Sequence, residues 1–296
     1  MSEKTPAVRL RAALADGPVV VAPGIYDALT GLLVERAGFA CAYLSGASVA
    51  YTRFGVPDIG LVTMTEMRDA LAAIAERVSI PIAVDADNGH GNALNVARTV
   101  REYERAGAAA LQLEDQSLPK RCGHLAGKRL IGAGEMVGKI RAACDARRNP
   151  STVVIARTDA FAVEGFEAAR ERAEAYVEAG ADMLFVEAPR TPAELAAVPA
   201  RFAARLPVMA NMVEGGSTPM QEAAALGTLG FRFVIFPGAL VRFLSRAAEA
   251  FLAGLRETGS TAAFRDDMHD LASLNGLLGT PDFLARGARY DPDSKD

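Results

Sequence analysis

Cysteine is scarce: Cys41, Cys122 and Cys144 are the only three in 296 residues. That is too few for a disulfide framework in a chain this long. A reducing compartment is expected, with one optional disulfide left open. Positive charge is not in excess either. The formal net charge of −4 argues against a broad nucleic-acid surface, whose signature is clustered lysine and arginine, and leaves only a local basic site open. No apolar run is long and uninterrupted enough to span a bilayer. The stretch 1–18 mixes charge with alanine and lacks the apolar core of a secretory signal. Low-complexity sequence is missing until the polar tail 291–296, which is expected to fray. These absences together point to a cytoplasmic protein with neither nucleic acid nor membrane as partner.

What is present is a repeated pattern. Short runs rich in Val, Ile, Leu or Ala end in polar residues, and a stretch with helical apolar spacing follows each. Eight candidate strands result: 19–22, 40–44, 81–84, 109–113, 152–156, 183–186, 207–210 and 233–236. Between them, 95–106, 134–146, 167–179, 192–205 and 220–226 read as helices dominated by Ala, Glu and Arg. Continuous apolar strands are expected where helices cover a parallel sheet. Eight such units predict a closed (β/α)8 TIM-type barrel, and the length suits one barrel of about 250 residues. The region 239–290 differs, reading as a helical extension broken at 265–267 and by a turn at 276–281. It either packs on a neighbouring subunit or closes its own barrel. Residues 1–296 thus form one barrel domain with that extension.

In such barrels, functional side chains collect where strands end. Polar residues stand there in one strand after another: Tyr43 to Ser48, Asp85 to Gly91, Glu114-Asp115, Lys120 to His124, Arg157-Thr158-Asp159, Glu187 and Asn211. Asp85 and Asp87, two apart, face one point if both lie in a strand. Glu114 at the next strand end and Asp58 in an upstream loop add more acid. One Asp at a strand end caps a helix or pairs with Arg or Lys as readily as it binds metal. Three converging acids favour a metal, and an all-oxygen set suits Mg²⁺ better than Zn²⁺.

The connection 119–131 is long for its place and contains Gly123 and Gly127, so it can close as a lid. Within it Cys122 stands among Lys120, Arg121, His124 and Lys128, where thiolate formation is expected to be easier. The alternative is an idle loop thiol. Cys41 in an apolar strand and Cys144 on a helix read as inert. Arg157 can grip a carboxylate bidentately, and the amides around Ser45, Gly46 and Ala47 can accept another. Glu187 either binds substrate or orients Arg157. Ser217 and Thr218 offer hydrogen bonds, or cap a helix that begins with Pro219. His90 and His269 receive no assignment.

These residues carry a resemblance. Tyr43-Leu44-Ser45-Gly46, Val84-Asp85-Ala86-Asp87 with Gly89 and Gly91, and Lys120-Arg121-Cys122-Gly123-His124 resemble the isocitrate lyase/phosphoenolpyruvate mutase superfamily. Arg157-Thr158-Asp159 and the run Asn211 to Gly216 extend the match over nearly the whole chain. The resemblance implies a barrel whose last helix is exchanged between subunits, in a homotetramer built from dimers. It implies Mg²⁺, with Mn²⁺ as a possible substitute, on Asp85 and Asp87, while Asp58 and Glu114 reach the ion through water. Substrate-binding positions carry over to Ser45, Gly46, Ala47, Gly123, Arg157, Glu187 and Asn211. Cys122 matches the catalytic cysteine of the lyase branch, with Tyr43, Glu114, Lys120 and His124 as further catalytic candidates.

The Lys-Arg-Cys-Gly-His run is what phosphonate-processing and oxaloacetate-decarboxylating relatives lack. The expectation is therefore a carbon–carbon lyase acting on a small 2-hydroxy di- or tricarboxylate. Oxaloacetate decarboxylation, phosphonate chemistry and a non-catalytic carboxylate-binding barrel are the rivals. In 2-methylisocitrate lyases an arginine on a late helix helps bind the third carboxylate. Here Met268 or His269 aligns with it, and only Arg242 or Arg265 offers compensation. That departure favours a substituted malate.

Overall fold

The computed structural model describes residues 5–291. The expected frayed tail lies outside the described residues from position 292 on. Eight parallel strands close into a barrel in sequence order: β1 Val20–Ile25, β2 Ala42–Leu44, β3 Ile82–Asp85, β4 Ala110–Glu114, β5 Val153–Thr158, β6 Met183–Val186, β7 Val208–Asn211 and β8 Phe233–Phe236. All eight expected strands are present. Most are displaced by one or two residues, chiefly because the ladder continues into the polar ends: Glu114 pairs with Arg157 across β4 and β5. The chain divides into two compact units, one through Val241 and one from Arg242 onward.

Alternation along the strands explains the placement of the site. Side chains two apart share a face, so each strand sends one set into the barrel and the other towards the helices. The inward set is an apolar plug that includes Tyr43, Ala83, Ala110, Val153, Ile155, Met183, Phe185, Met209 and Phe233. The outward set includes Leu44, Val84, Leu111, Leu113, Val154, Leu184, Val208 and Val234, buried under the surrounding helices. Continuing the inward register by two residues leads from Ala83 to Asp85, Ala110 to Gln112 and Glu114, Ile155 to Arg157, Phe185 to Glu187, and Met209 to Asn211. The apolar plug below therefore aims the polar groups into one mouth.

The expected helices are present at Ala93–Ala106, Ala133–Ala146, Phe166–Glu178 and Pro192–Phe202. The last of the set starts at Ala223 rather than at 220, with Glu222 as its N-cap. Ser217 and Thr218 therefore cap no helix, because residues 214–222 are turn and coil. Helices outside the expected stretches include Ala28–Arg36, Met64–Ala75 and Pro6–Ala15. Pro6–Ala15, capped by Thr5, buries Leu10 and Leu14 against the inner plug. In the unit from Arg242, helices Leu271–Leu278 and Thr280–Ala288 follow the end of the 20-residue helix Ala239–Thr258. The break at 265–267 is the end of a 3-10 turn, Ala262–Asp267, and the later turn falls at Gly279. Among the described residues no helix is long and apolar enough to cross a membrane.

Candidate active site

The acidic group comes from three segments. β3 stops at Asp85, and Asp87 lies beyond it with φ 46°. The two carboxylates are thus not neighbours along one strand face, as expected, but are brought together by a left-handed turn. Gly89 (φ 81°) and Gly91 (φ 144°) complete that turn, where a side chain would be strained. The Asp87 amide donates to Asp85 Oδ1 at 3.1 Å. Asp58 joins from the loop after β2. The Lys120 ammonium sits 2.5 Å from Asp58 Oδ1 and 2.7 Å from Asp87 Oδ1. Despite its burial those acids keep Lys120 well above the ordinary lysine range. Burial, then the Asp87 charge, pushes Asp85 up.

The structure fits a cation here. Glu114 Oε1 is buried with no hydrogen-bond partner, and Asp87 Oδ1 meets only Lys120, outside hydrogen-bonding angles. A Cβ on Gly46 would lie 3.2 Å from Asp85 Oδ2 and 3.8 Å from Asp87 Oδ1, so glycine keeps that space open. Among the described residues no three His, Cys, Asp or Glu side chains form a direct metal cage. A pair of carboxylates with the remaining positions left to water is the pattern that Mg²⁺ favours.

Tyr43 is fully buried and donates to Gln112 Oε1 at 3.0 Å; Gln112 Nε2 in turn lies 3.5 Å from Asp85 Oδ1. Burial, then the Asp85 charge, pushes its phenol well above the ordinary tyrosine value. Tyr43 thus stands as a hydrogen-bond donor to Gln112. Burial pushes Glu114 well above the usual carboxylate range too, against the pull of Arg157.

The loop after β4 begins as a narrow hairpin. Ser117 donates to the Arg129 carbonyl at 2.8 Å, and Gln116 bridges Leu130. Gln116 also clasps Arg121, accepting from its amide at 3.0 Å and donating to its carbonyl at 2.8 Å. The Cys122 amide donates to the Asp58 carbonyl at 3.2 Å, placing the thiol at the mouth. The easier thiolate expected from neighbouring cations does not occur. Burial pushes the thiol above its ordinary value, Asp58 and Glu187 add to this, and the His124 amide and Arg157 only partly offset it. The nearby cations are already neutralised, Lys120 by Asp58 and Asp87, and Arg157 by Asp159. The balance at Cys122 therefore favours the thiol over the thiolate. Cys41 is buried with its thiol pushed up to about 12, Cys144 donates to the Gly180 carbonyl at 3.3 Å, and all three cysteines are unpaired.

Opposite the acids stands Arg157, buried over the Phe185 ring at 5.2 Å. Its Nε and Nη2 reach Asp159 at 2.9 and 3.0 Å, so one fork is already taken. The Nη1 side, 3.4 Å from Glu114 Oε2, is the edge left for a ligand. Glu187 lies 4.0 Å from Arg157 and accepts from Asn211 Nδ2 at 3.2 Å. Burial opposes its charge, yet Arg157 and His124 together hold its carboxyl below the ordinary value. His124 Nδ1 accepts from the Ser217 amide at 3.2 Å, which leaves the hydrogen on Nε2, 3.0 Å from Glu187 Oε1. Ser217 therefore orients His124. Asn211 Oδ1 is buried without a partner. Ser45 caps the short helix Gly46–Val49 through a 3.2 Å bond from Ser48, so Gly46 and Ala47 form its first turn at the mouth.

The structure adds Gln112 and Gln116 to the strand-end groups and gives the expected Asp115 its partners. Asp115 accepts from the Asp159 amide at 2.8 Å, Thr158 at 2.7 Å and Tyr176 at 2.8 Å. Gln112 was legible as a polar residue two before Glu114 on an apolar strand. The bonds of Gln116 and Asp115 are long-range or loop contacts with no local signal. His90 Nε2 lies 3.1 Å from Tyr103 Oη, and His269 Nδ1 lies 3.2 Å from Ser273 Oγ.

A closed parallel barrel with paired acids, a lid cysteine and a buried arginine defines a carboxylate-processing (β/α)8 scaffold. Residues 10–256 match the phosphoenolpyruvate phosphomutase family, and the chain belongs to this phosphoenolpyruvate mutase/isocitrate lyase superfamily. It is 43% identical over 275 residues to 2,3-dimethylmalate lyase of Eubacterium barkeri, covering 92% of this chain and 94% of that one. It is 44% identical over 283 residues to 2-methylisocitrate lyase of Aeropyrum pernix, covering 96% and 90%. A crystal structure of 2,3-dimethylmalate lyase superposes with TM-score 0.92 at 36% identity, covering 99% and 98%. A phosphonopyruvate hydrolase complexed with oxalate and Mg²⁺ follows with TM-score 0.87 at 32% identity, covering 97% and 99%.

Proposed function

We propose that this chain is a carbon–carbon lyase. It cleaves a small 2-hydroxy dicarboxylate of the substituted-malate kind into a 2-oxo acid such as pyruvate and a saturated carboxylate. The observation that carries this reading is the position of Cys122, held at the barrel mouth by its amide bond to Asp58, with Gly123 next to it pressed against Arg157 and Glu187. Its relatives named for 2,3-dimethylmalate and 2-methylisocitrate support the reaction class.

Asp85 and Asp87 would hold Mg²⁺, or Mn²⁺ in its place, with Asp58 and Glu114 meeting it through water; the bound ion supplies Lewis-acid polarisation of the 2-hydroxyl and its neighbouring carboxylate. The phosphonopyruvate hydrolase complex with Mg²⁺ supports this choice. The chain's own groups do the rest. Glu114, in the carboxylate form that Arg157 favours against burial, accepts the hydroxyl proton as the C2–C3 bond breaks. The bonding pair stays on C3 and spreads into the adjoining carboxylate. Arg157 stabilises that charge, and the amides of Gly46, Ala47 and Gly123 with the Ser45 hydroxyl supply further donors, the Ser45 amide itself being bonded to the Ile25 carbonyl at 3.1 Å. Glu187, fixed by His124 and Asn211, keeps Arg157 in place. Cys122 then delivers its proton to C3. Lys120 balances the acids and holds Asp58 and Asp87 together.

The preference for two carboxylates over three rests on the departure at Met268 and His269. We also take the chain as a cytoplasmic homotetramer built from dimers with exchanged last helices. Supporting this, the unit from Arg242 buries no side chain among the described residues, and Phe243 (71%), Leu271 (81%) and Leu284 (69%) stand exposed. Apolar surface of that kind marks an interface.

The test is incubation with Mg²⁺ and 2,3-dimethylmalate, 2-methylisocitrate, isocitrate, oxaloacetate or phosphonopyruvate, following products by NMR with EDTA controls. Metal-dependent release of pyruvate and a saturated carboxylate from a hydroxy acid is expected. Turnover of oxaloacetate or phosphonopyruvate alone would contradict the lyase.

A further inference from the structure

Lys128 lies in the lid segment, five residues after Gly123, and has no part in the chemistry above. Its side chain is only 2% exposed. The ammonium has two acceptors: the Gly123 carbonyl, and Asp159 Oδ1 at 2.9 Å. The same Asp159 carboxylate holds Arg157 through both oxygens, and its backbone amide is anchored by Asp115. An unbroken buried chain therefore runs from the residue next to Cys122, through Lys128 and Asp159, to the guanidinium.

The closed position is a tight one. A Cβ on Gly123 would lie 2.4 Å from Arg157 Nη2 and 2.8 Å from Glu187 Cγ, so the loop backbone presses directly on the site. The flank of the loop is not packed. A cavity of about 370 Å³ opens beside it, lined by Leu125, Gly127, Lys128, Val163 and Arg190 among others. The loop has room to swing on that side, and it is held by Lys120 on Asp58 and Asp87, by Gln116 on Arg121 and by His124 on Ser217 and Glu187. The Cys122 amide bond to Asp58 is a further restraint, and the Lys128 bridge is the restraint that ties the loop backbone to the carboxylate holding Arg157.

We propose that Lys128 is a positioning residue: by bridging the Gly123 carbonyl and the Asp159 carboxylate, it latches the Cys122 loop shut against Arg157. The link to catalysis rests on the lyase reading, whereas the latch itself does not. With the latch gone, Asp159 still holds Arg157, so substrate binding is largely kept while the thiol loses its place. kcat falls far more than KM rises, by roughly 100-fold for a displacement of about 1 Å.

The experiment uses Lys128→Met, which keeps the chain length and removes the donor. Alkylation of Cys122 by iodoacetamide is followed by peptide mass spectrometry, with Cys144 in the same molecule as the reference. Loss of a cation disfavours the thiolate, so a faster reaction at Cys122 can only come from access. A rise of about tenfold or more at Cys122 with Cys144 unchanged is expected, a factor worth about 1.4 kcal/mol of loop closure. Equal rates in both proteins, or parallel rises at both cysteines, would overturn the latch. Should Lys128→Met fail to fold, Lys128→Gln, which keeps a donor without the charge, is read by the same comparison. The alkylation needs no substrate, so it decides the latch whatever becomes of the lyase reading.

Discussion

Replacing Gly123 by alanine adds one methyl group at the point where the lid meets the site. Gly123 is not among the residues of positive φ, so alanine is tolerated by the backbone and only the contact is at issue. The new carbon would lie 2.4 Å from Arg157 Nη2 and 2.8 Å from Glu187 Cγ and Cδ. Ordinary contact needs about 3.5 Å, so the overlap is about 1 Å. Neither neighbour yields easily. Arg157 is held by Asp159 at 2.9 and 3.0 Å and lies on Phe185, while Glu187 is held by Asn211 and His124. The loop must retreat instead, carrying the Cys122 thiol with it. A displacement of about 1 Å at a reacting group costs on the order of 100-fold in rate, or about 3 kcal/mol of transition-state stabilisation. Coupled detection of pyruvate release would give kcat and KM for Gly123→Ala, with thermal unfolding run in parallel. A melting temperature near that of wild type together with a collapsed kcat is the expected pair. A kcat within a few-fold of wild type would refute the argument that backbone contact at Gly123 sets the thiol's position.

Two further outcomes follow from buried charges. Burial opposes ionisation of Asp159, yet Arg157 and Lys128 hold its carboxyl down at about 2. A depressed carboxylate contributes stability that is fully present above its unfolded value near 3.9 and is lost as pH falls towards 2, here about 2 kcal/mol. Asp159→Asn should therefore unfold at lower urea than wild type at neutral pH and lose less stability between pH 4 and 2; curves of equal slope would contradict this. Asp58 is assigned a water-mediated contact with the cation. Asp58→Asn should raise the Mg²⁺ concentration for half-maximal activity by roughly 10- to 100-fold, and an unchanged metal titration would refute that assignment.

The barrel was legible because a parallel strand buried on both faces writes an uninterrupted apolar run, and eight such runs recur between helical stretches. The site was legible for a related reason. Asp85, Arg157, Glu187 and Asn211 each follow an inward apolar residue by a fixed step of two, and Glu114 follows Ala110 by two such steps, so topology alone gathers them. What could not be read locally depended on tertiary bonds. The pairing of Asp87 with Asp85 comes from a left-handed turn, not from strand alternation. The protonation of Cys122 depends on its burial and on Asp58 and Asp159 having already neutralised the neighbouring cations, partners distant in sequence. Ser217 resembled a helix cap, but its amide instead orients His124, 93 residues away. Gln116 and Lys128 are polar loop residues whose roles appear only once the loop is folded back on Asp159 and Arg121.

The central claim is that Cys122 hands a proton to the carbanion left by C2–C3 cleavage. Steady-state turnover of Cys122→Ala and Cys122→Ser with Mg²⁺ and the best hydroxy acid tests it most directly, with unfolding and metal titration as controls. Collapse of turnover in both variants, with fold and metal binding largely intact, is the result predicted. Near-normal turnover by Cys122→Ala would contradict it.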